Sequence, residues 1–229
     1  KTALNLEIVA SYSIEQGIRE KVITDYQIYV IKTELDNKKK RLSLFKNSKY
    51  KITEKQKFDW ISEKITKNLE EEKDLGLLPI WRVQIFKQSL AKFETTKALI
   101  KRFKGERLLI FCGLTEIADN LGVPVYHSKK KDDELKDSFC SGVGDVLATV
   151  DMFEAGITVK PIHRAIINSF DSNPENLAQR ISRLTGFEYD NPEKIAKIYI
   201  VCTTEPVEER WLQKALEFFD PAKIKYAKL

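Results

Sequence analysis

The sequence has little of what membrane proteins and cross-linked secreted proteins need. No run of about 18 apolar residues occurs in its 229 residues, so no membrane-spanning helix is expected. Only three cysteines are present, and they are widely separated: Cys112, Cys140 and Cys202. Their spacing fits no zinc site, and we expect no metal centre. Their odd number suits a reduced, cytoplasmic protein. Cys112 and Cys202 end apolar strand-like runs, so we expect both to be buried structural thiols.

The termini and the charge add weaker information. The first residues lack the charged, apolar and small-residue order of a secretory signal. The chain begins with Lys1 and not with Met, so we expect it to be cut from a longer protein. The net charge of +5 comes from 39 basic and 34 acidic residues. This modest excess permits nucleic-acid binding but does not demand it.

Residues 1–35 predict a short strand, a helix and a longer strand. Ser13 is well placed as the N-cap of the helix, and Tyr26 to Ile31 is rich in β-formers. The apolar face of this helix is formed by Ile14, Ile18 and Val22. The run Lys38 to Arg41 that follows predicts an exposed loop, with a phosphate contact as the alternative.

Residues 36–104 predict a helical insertion or linker. A helix opens at Thr53-Glu54, and the stretch Lys73 to Gly76 breaks the pattern before a second helical segment begins. We expect Trp60 and Trp81 to be packing residues and not base-stacking platforms. The inward positions of the two segments are Phe58, Ile61, Ile65 and Leu69, then Phe86, Leu90, Phe93 and Ile100.

Residues 105–229 alternate strands with helices. Continuous apolar strands separated by helices predict an α/β fold, with a parallel sheet covered on both faces and one domain overall. The predicted strands are 108–112, 123–126, 145–149, 165–167 and 198–201. In such a sheet the functional loops follow the carboxyl ends of the strands.

The predicted helix over residues 174–185 carries two arginines in a pattern that is compatible with phosphate binding. Ser172 and Glu175 fit a capping box for a helix over 174–185. The spacing puts Leu177, Ile181 and Leu184 on the core face and Gln179, Arg180 and Arg183 on another face. Paired guanidinium groups suit a polyphosphate, because arginine offers a fixed fork of donors and keeps its charge. From this helix alone, a solvated basic face is equally acceptable.

The order of these segments resembles motifs IV, V and VI of superfamily 2 helicases. Residues 108–112 correspond to motif IV, residues 145–158 look like motif V, and Gln179 to Arg183 looks like the start of motif VI. Tyr126 to Lys130 resembles the segment after the next strand. The stretches 12–26, 190–193 and 208–212 are similar to the interdomain crossover and the tails of phage-type and restriction-associated DNA helicases.

The resemblance implies a RecA-like fold over residues 105–229, the second of two motor domains that hold ATP and Mg²⁺ between them. Residues 1–35 would then be the interdomain crossover and the first strand of the domain. The P-loop pattern of the N-terminal motor domain is absent from the sequence. Asp132 to Glu134 is expected to be solvated surface and not the acid pair. We therefore expect this chain alone to be inactive and to bind no ATP stably.

Site residues follow from the same resemblance. Arg183 and Arg180 would act on the γ-phosphate as catalytic arginine fingers, with Gln179 orienting them. Gly156 and Thr158 would bind the nucleotide. Contacts to nucleic acid, with DNA the expected substrate, would come from Thr149, His127, Ser128 and Lys129.

The sequence departs from the helicase pattern at three positions. Gly186 stands where motif VI usually has a further arginine, Ser182 replaces a usual glycine, and Thr158 replaces a usual Asp or Asn. These departures, with the missing P-loop, favour an alternative: a degenerate, non-catalytic RecA-like module in a larger complex. A small-molecule α/β enzyme is disfavoured, because no strand is followed by G-x-G-x-x-G.

Overall fold

A computed structural model describes residues 14–44, 49–150, 162–182, 184, 191 and 193–227. Its centre is a seven-stranded sheet in the order β5-β6-β4-β7-β8-β1-β9, and every neighbouring pair is parallel. The strands are β1 (Asp25–Thr33), β4 (Leu108–Cys112), β5 (Val125–Tyr126), β6 (Val146–Val150), β7 (Arg164–Ile167), β8 (Ile195–Thr203) and β9 (Ile224–Ala227). A separate antiparallel pair joins β2 (Leu42–Ser43) to β3 (Lys51–Ile52).

Helices cover both faces of the large sheet. On one face, Leu177 of α7 and Leu212 of α8 join the buried cluster. On the other face, Leu99 of α4 and Ala118 of α5 do so. The helices are α1 (Ile14–Arg19), α2 (Glu54–Glu70), α3 (Leu78–Lys87), α4 (Leu90–Arg102), α5 (Thr115–Asp119), α6 (Asp133–Ser141), α7 (Pro174–Ser182) and α8 (Pro206–Leu216), with a 3₁₀ turn at Pro221–Lys223. The predicted α/β class is confirmed.

The central strand β4 shows why the sheet is covered on both sides. All five of its residues are buried, because apolar side chains point to both faces. Its neighbours β6 and β7 continue this pattern. The edge strand β9 was missed by the sequence prediction, since its four residues alternate too briefly to stand out.

The helical region is confirmed but divided differently. Thr53 caps α2 through a capping box with Gln56, as a helix start at this point requires. The second predicted segment is two helices, α3 and α4, which meet at Gln88 and Ser89. Among the helices that the structure describes, α4 packs directly on the sheet, whereas α2 and α3 form a separate cluster outside its two helical layers. The domain boundaries drawn from the sequence stay predictions.

Several predicted inward positions are wrong. Val22 is 57% exposed because α1 ends at Arg19, one turn before it. Leu69 is 60% exposed in the last turn of α2. Trp60 is half-buried and packs against the cluster around Phe58 and Ile61, as predicted, whereas Trp81 is 38% exposed. The proposed cap Ser13 lies outside the described residues.

Candidate functional site at the carboxyl edge of the sheet

The parallel strands all end at one edge of the sheet, and the loops there are tightly packed. Gly113 follows β4, and Asn168 and Ser169 follow the neighbouring strand β7. A Cβ atom added to Gly113 would lie 2.4 Å from Ser169 Oγ, so only glycine fits between these loops. The loops after β4 and β7 therefore pack closely against each other at this edge.

A buried amide links this edge to the helical region. Asn168 Nδ2 donates to the backbone oxygen of Lys92 at 3.2 Å and to Thr96 Oγ1 at 2.8 Å. Both acceptors belong to α4, and Asn168 is 1% exposed. The start of the β7–α7 loop is thus fixed to α4 in a site without water access.

Beside this amide lies a buried ion pair that the sequence reasoning missed. Lys92 Nζ is 2.6 Å from Glu208 Oε1, and the two side chains are 1% and 0% exposed. Glu208 Oε2 also accepts a hydrogen bond from the Thr203 backbone N–H at 2.7 Å. Lys92 Nζ lies 5.3 Å from the centre of the Phe170 ring. In sequence, both charges look like ordinary surface positions of amphipathic helices, so no local signal could have found the pair.

Arg180 does not project from α7 as predicted, and this is a correction. The side chain is 8% exposed, and Nη1 donates to the backbone oxygen of Ser169 at 2.7 Å. Its guanidinium lies 5.7 Å from the centre of the Phe111 ring. Position 180 lies three residues after Leu177, close enough to the core stripe for a long side chain to turn inward. Burial raises the pKa of the neighbouring Cys112 thiol to about 12, although the Arg180 charge acts against it.

Of the other predicted nucleotide contacts, the structure describes Gln179 alone. Gln179 is exposed on α7. Arg183, Gly156, Thr158 and Gly186 lie outside the described residues. Of the three positions that resemble motif VI, the structure therefore describes an exposed Gln179 and a buried Arg180.

The start of α7 also differs from the prediction. The helix begins at Pro174, and the side chain of Asn173 accepts a hydrogen bond from the Glu175 N–H at 3.0 Å. Asn173 N–H in turn donates to Asp171 Oδ1 at 2.8 Å. Asn173 is thus the cap, and the predicted capping box of Ser172 with Glu175 is wrong, because the helix starts one residue later than that box requires.

Thr149 is the predicted nucleic-acid contact with the most unusual environment. It stands near the end of β6, in register with Phe111 of β4 on one side and Tyr126 of β5 on the other. The residue is 1% exposed, and its hydroxyl has no hydrogen-bond partner among the residues that the structure describes. A buried hydroxyl without a partner is costly, which marks this position as one that a ligand or water can complete.

His127 is not the surface residue that the sequence suggested. It is 2% exposed, its Nδ1 accepts from the Lys129 N–H at 3.2 Å, and its Nε2 is 3.2 Å from Asp119 Oδ1. An accepting Nδ1 requires that Nε2 carries the proton and donates it to Asp119. Both ring nitrogens are therefore occupied within the protein, and the predicted phosphate contact of this side chain is not supported.

The basic loop around His127 has the exposure that a phosphate contact needs. Ser128 and Lys129 are exposed, as are Lys130 and Lys131. By contrast, Arg41 in the earlier basic run pairs with the fully buried carboxylate of Glu54. Asp132 caps α6 and is exposed with its neighbours, so the acidic run is solvated surface as predicted.

The described residues contain no group of three or more His, Cys, Asp or Glu side chains that could hold a metal ion. No helix in the same part of the chain is both long and apolar enough to cross a bilayer.

Comparison with known proteins finds one family model that is similar to part of the chain. Residues 91–185, fewer than half of the chain, match the helicase conserved C-terminal domain. No curated protein sequence matches the chain.

Several solved structures are similar, all with low identity. The C-terminal domain of the DEAD-box protein Dbp5 shows 19% identity and a TM-score of 0.49 over 62% of this chain and 86% of that one. A DEAD box protein from Methanococcus jannaschii shows 22% and 0.46 over 60% of this chain and 38% of that one. A variant S. cerevisiae Dbp5 C-terminal domain bound to Gle1 and IP6 shows 19% and 0.47 over 60% and 83%.

The matched stretch runs from α4 through the motif VI-like helix α7, across the strands whose ends form the candidate site. Residues 91–185 are thus similar to the helicase conserved C-terminal domain and lie within a parallel α/β fold.

Proposed function

We propose that this chain is the C-terminal motor domain of an ATP-dependent superfamily 2 helicase or translocase. The match of residues 91–185 to the helicase C-terminal domain carries the proposal. The geometry supports it, because the ends of β4, β6 and β7 and the start of α7 meet at one edge of a parallel sheet. Ligands of such sheets bind at this edge. An N-terminal motor domain would supply the phosphate-binding loop and the acid pair.

In this proposal Arg183 is the arginine that stabilises charge on the γ-phosphoryl group, and Gln179 orients the network. A guanidinium placed where charge develops lowers the barrier to phosphoryl transfer. Gly156 and Thr158 would contact ATP, whose Mg²⁺ the N-terminal domain would hold. Arg180 has a different role in this proposal, because its hydrogen bond to the Ser169 carbonyl supports the loop before α7. Arg183 is then the arginine that would extend across the cleft to ATP.

Nucleic acid would bind through Thr149, Ser128 and Lys129 near the ends of β5 and β6. The exposed lysines provide charge for phosphates, and the unpartnered Thr149 hydroxyl provides a donor. We propose DNA as the substrate. We also propose that the protein belongs to the phage-type or restriction-associated subgroup. Both proposals rest on the sequence resemblance alone. Direct comparison of DNA with RNA of the same sequence decides between the substrates.

The test of the motor function is Arg183→Ala in the protein that carries both motor domains. A lost finger lowers ATP turnover by roughly 10³- to 10⁵-fold. Gln179→Ala serves as a milder comparison on the same helix. Steady-state ATP hydrolysis with saturating nucleic acid is the measurement, and unchanged turnover of the Arg183→Ala protein contradicts the finger assignment.

A second candidate is a degenerate RecA-like module without catalytic function. The burial of Arg180 favours it, because one of the two predicted finger arginines serves the fold. Gly186→Arg separates the candidates: restored turnover indicates a weakened motor, whereas absent turnover in both forms supports the degenerate module.

A further inference from the structure

A second concave site lies on the α4 face of the sheet, away from the carboxyl edge. It has a volume of about 540 Å³, within the range of small-molecule sites. Tyr29 and Tyr199, which line it, are the central residues of the nine-residue strands β1 and β8 and pair in register. Arg164, also in the lining, is the first residue of β7. The pocket thus sits at the middle and the amino-terminal half of the sheet.

Three aromatic rings form a row along one side of this pocket. The rings of Phe103 and Tyr199 have centroids 4.7 Å apart, and those of Tyr199 and Tyr29 are stacked at 5.0 Å and 10°. Tyr29 ends the row toward the edge strand β9, which contributes only the small side chain of Ala227 to the lining. Lys225 of β9 pairs with Tyr29 in register and is exposed, so a planar ligand ring can extend the row on this side once the flexible Lys225 side chain lies aside.

The lining of the pocket around the aromatic row has more cationic than anionic side chains. Arg164 is anchored, because it pairs with Glu106, donates to the Tyr199 hydroxyl at 3.1 Å and lies 4.6 Å from the Phe103 centroid. Arg102 is exposed and Lys197 is half-buried. Among the described residues, neither of these two has a carboxylate partner. The Tyr199 phenol adds no opposing charge, because burial raises its pKa.

We propose that this pocket binds a nucleoside phosphate, with the base on Tyr29 and the phosphate on Arg102 and Lys197. Bases stack on aromatic side chains whatever their sequence, and unpaired cations beside such a platform bind the phosphate. The ligand is either a free nucleotide or one nucleotide of a single strand. The site is separate from the carboxyl edge, so the proposal does not depend on the motor function.

The experiment follows backbone amide signals by NMR while the chain is titrated with AMP or with a single-stranded hexanucleotide. Shifts centred on Tyr29, Lys197 and Tyr199 are expected. Shifts with AMP identify a free nucleotide as sufficient, and shifts with the hexanucleotide alone identify a strand. No shift at these residues with either probe overturns the proposal.

The second part of the experiment compares two substitutions in the pocket with two matched controls. Tyr29→Leu and Arg102→Gln should each weaken binding at least about fivefold, the lower range for a lost stacking contact. Tyr226→Leu, on the opposite face of β9, and Lys101→Gln, outside the pocket, should bind like the parent chain. Arg102 is exposed, so its variant tests the site even if Tyr29→Leu fails to fold. Equal affinity of Arg102→Gln and the parent overturns the proposal.

Neutralising the basic loop separates this site from the proposed motor function. Changing Lys129, Lys130 and Lys131 to Gln should leave AMP binding at the pocket unchanged. If that variant abolishes the shifts at Tyr29, the ligand is held at the carboxyl edge and the pocket proposal fails.

Discussion

At the scale of single residues, Arg180 illustrates how a charged side chain can serve the fold at a functional edge. Its guanidinium donates to the Ser169 carbonyl and packs near the ring of Phe111. Such a buried, charge-assisted hydrogen bond contributes more than a surface contact. The neighbouring Gln179 is exposed, so the two residues offer a direct comparison of an inward and an outward position.

We predict that Arg180→Ala lowers the free energy of unfolding by about 2 kcal/mol, because it leaves the Ser169 carbonyl without this donor. Gln179→Ala should change it by less than about 0.5 kcal/mol. Urea unfolding of both variants is the measurement. Equal stability of the two proteins would contradict the structural role of Arg180.

The adjacent glutamates of α8 allow a second comparison at this scale. Glu208 is fully buried with Lys92, whereas Glu209 pairs with Lys32 in a half-exposed position. Removing one partner of a buried ion pair is strongly destabilising, because the other charge stays buried without compensation. An exposed pair contributes little.

We therefore predict that Glu208→Gln costs about 3 kcal/mol of unfolding free energy and Glu209→Gln less than about 1 kcal/mol. The double change of Lys92→Met with Glu208→Leu should recover part of the loss, since no charge is then buried. Recovery stays incomplete because the Thr203 N–H loses its acceptor. Chemical denaturation measures all three proteins, and similar losses for both glutamates would refute the prediction.

At the scale of elements, the start of α7 sets where the arginine-bearing helix points. The side chain of Asn173 accepts from the Glu175 N–H, and Pro174 occupies the first helical position, where it loses no hydrogen bond. The cap therefore fixes the register of the helix relative to β7. If α7 began one residue earlier, at Asn173, the loop before the helix would need a different conformation.

We predict that Asn173→Ala destabilises the chain by about 1 kcal/mol, the usual cost of a lost N-cap. Ser172→Ala, one residue earlier and exposed, should cost less than about 0.5 kcal/mol. Thermal or urea unfolding distinguishes the two positions. A larger effect of Ser172→Ala would restore the capping box that the sequence suggested.

At the scale of the whole molecule, the two basic runs lie on different parts of the surface. Lys129 to Lys131 follow β5 at the carboxyl edge, and Lys38 to Lys40 lie in the loop between β1 and β2. Both runs are exposed and carry the same charge. Both runs follow the carboxyl ends of parallel strands, so they differ in their place along the sheet: β5 is an edge strand beside β6 with Thr149, whereas β1 lies five strands away from β5.

We predict salt-dependent nucleic-acid binding without sequence preference, measured by fluorescence polarisation with DNA and RNA duplexes and single strands. Changing Lys129, Lys130 and Lys131 to Gln should reduce the slope of log K against log salt by about 2 to 3, since each phosphate contact contributes about 0.9 on duplex DNA. The matched change of Lys38, Lys39 and Lys40 should leave it unchanged. The reverse result would place the contact on the earlier loop.

The sequence by itself determined the α/β class, the strand at 108–112, the strand predicted at 145–149 and found at Val146–Val150, and the location of the helical region. These features depend on local periodicity and on apolar runs, which act over a few neighbouring residues. The same local signals identified Thr53 as a helix start, and the functional role of the ends of β6 and β7 stays a prediction.

Only the tertiary structure decided the burial of His127 and Arg180, the ion pair of Lys92 with Glu208, and the aromatic row of Phe103, Tyr199 and Tyr29. Each of these depends on contacts between residues far apart in the chain. Whether a charge on an amphipathic helix meets water or a partner depends on the element that packs over it. A sequence pattern gives the face of a helix, but it does not give what lies across from that face.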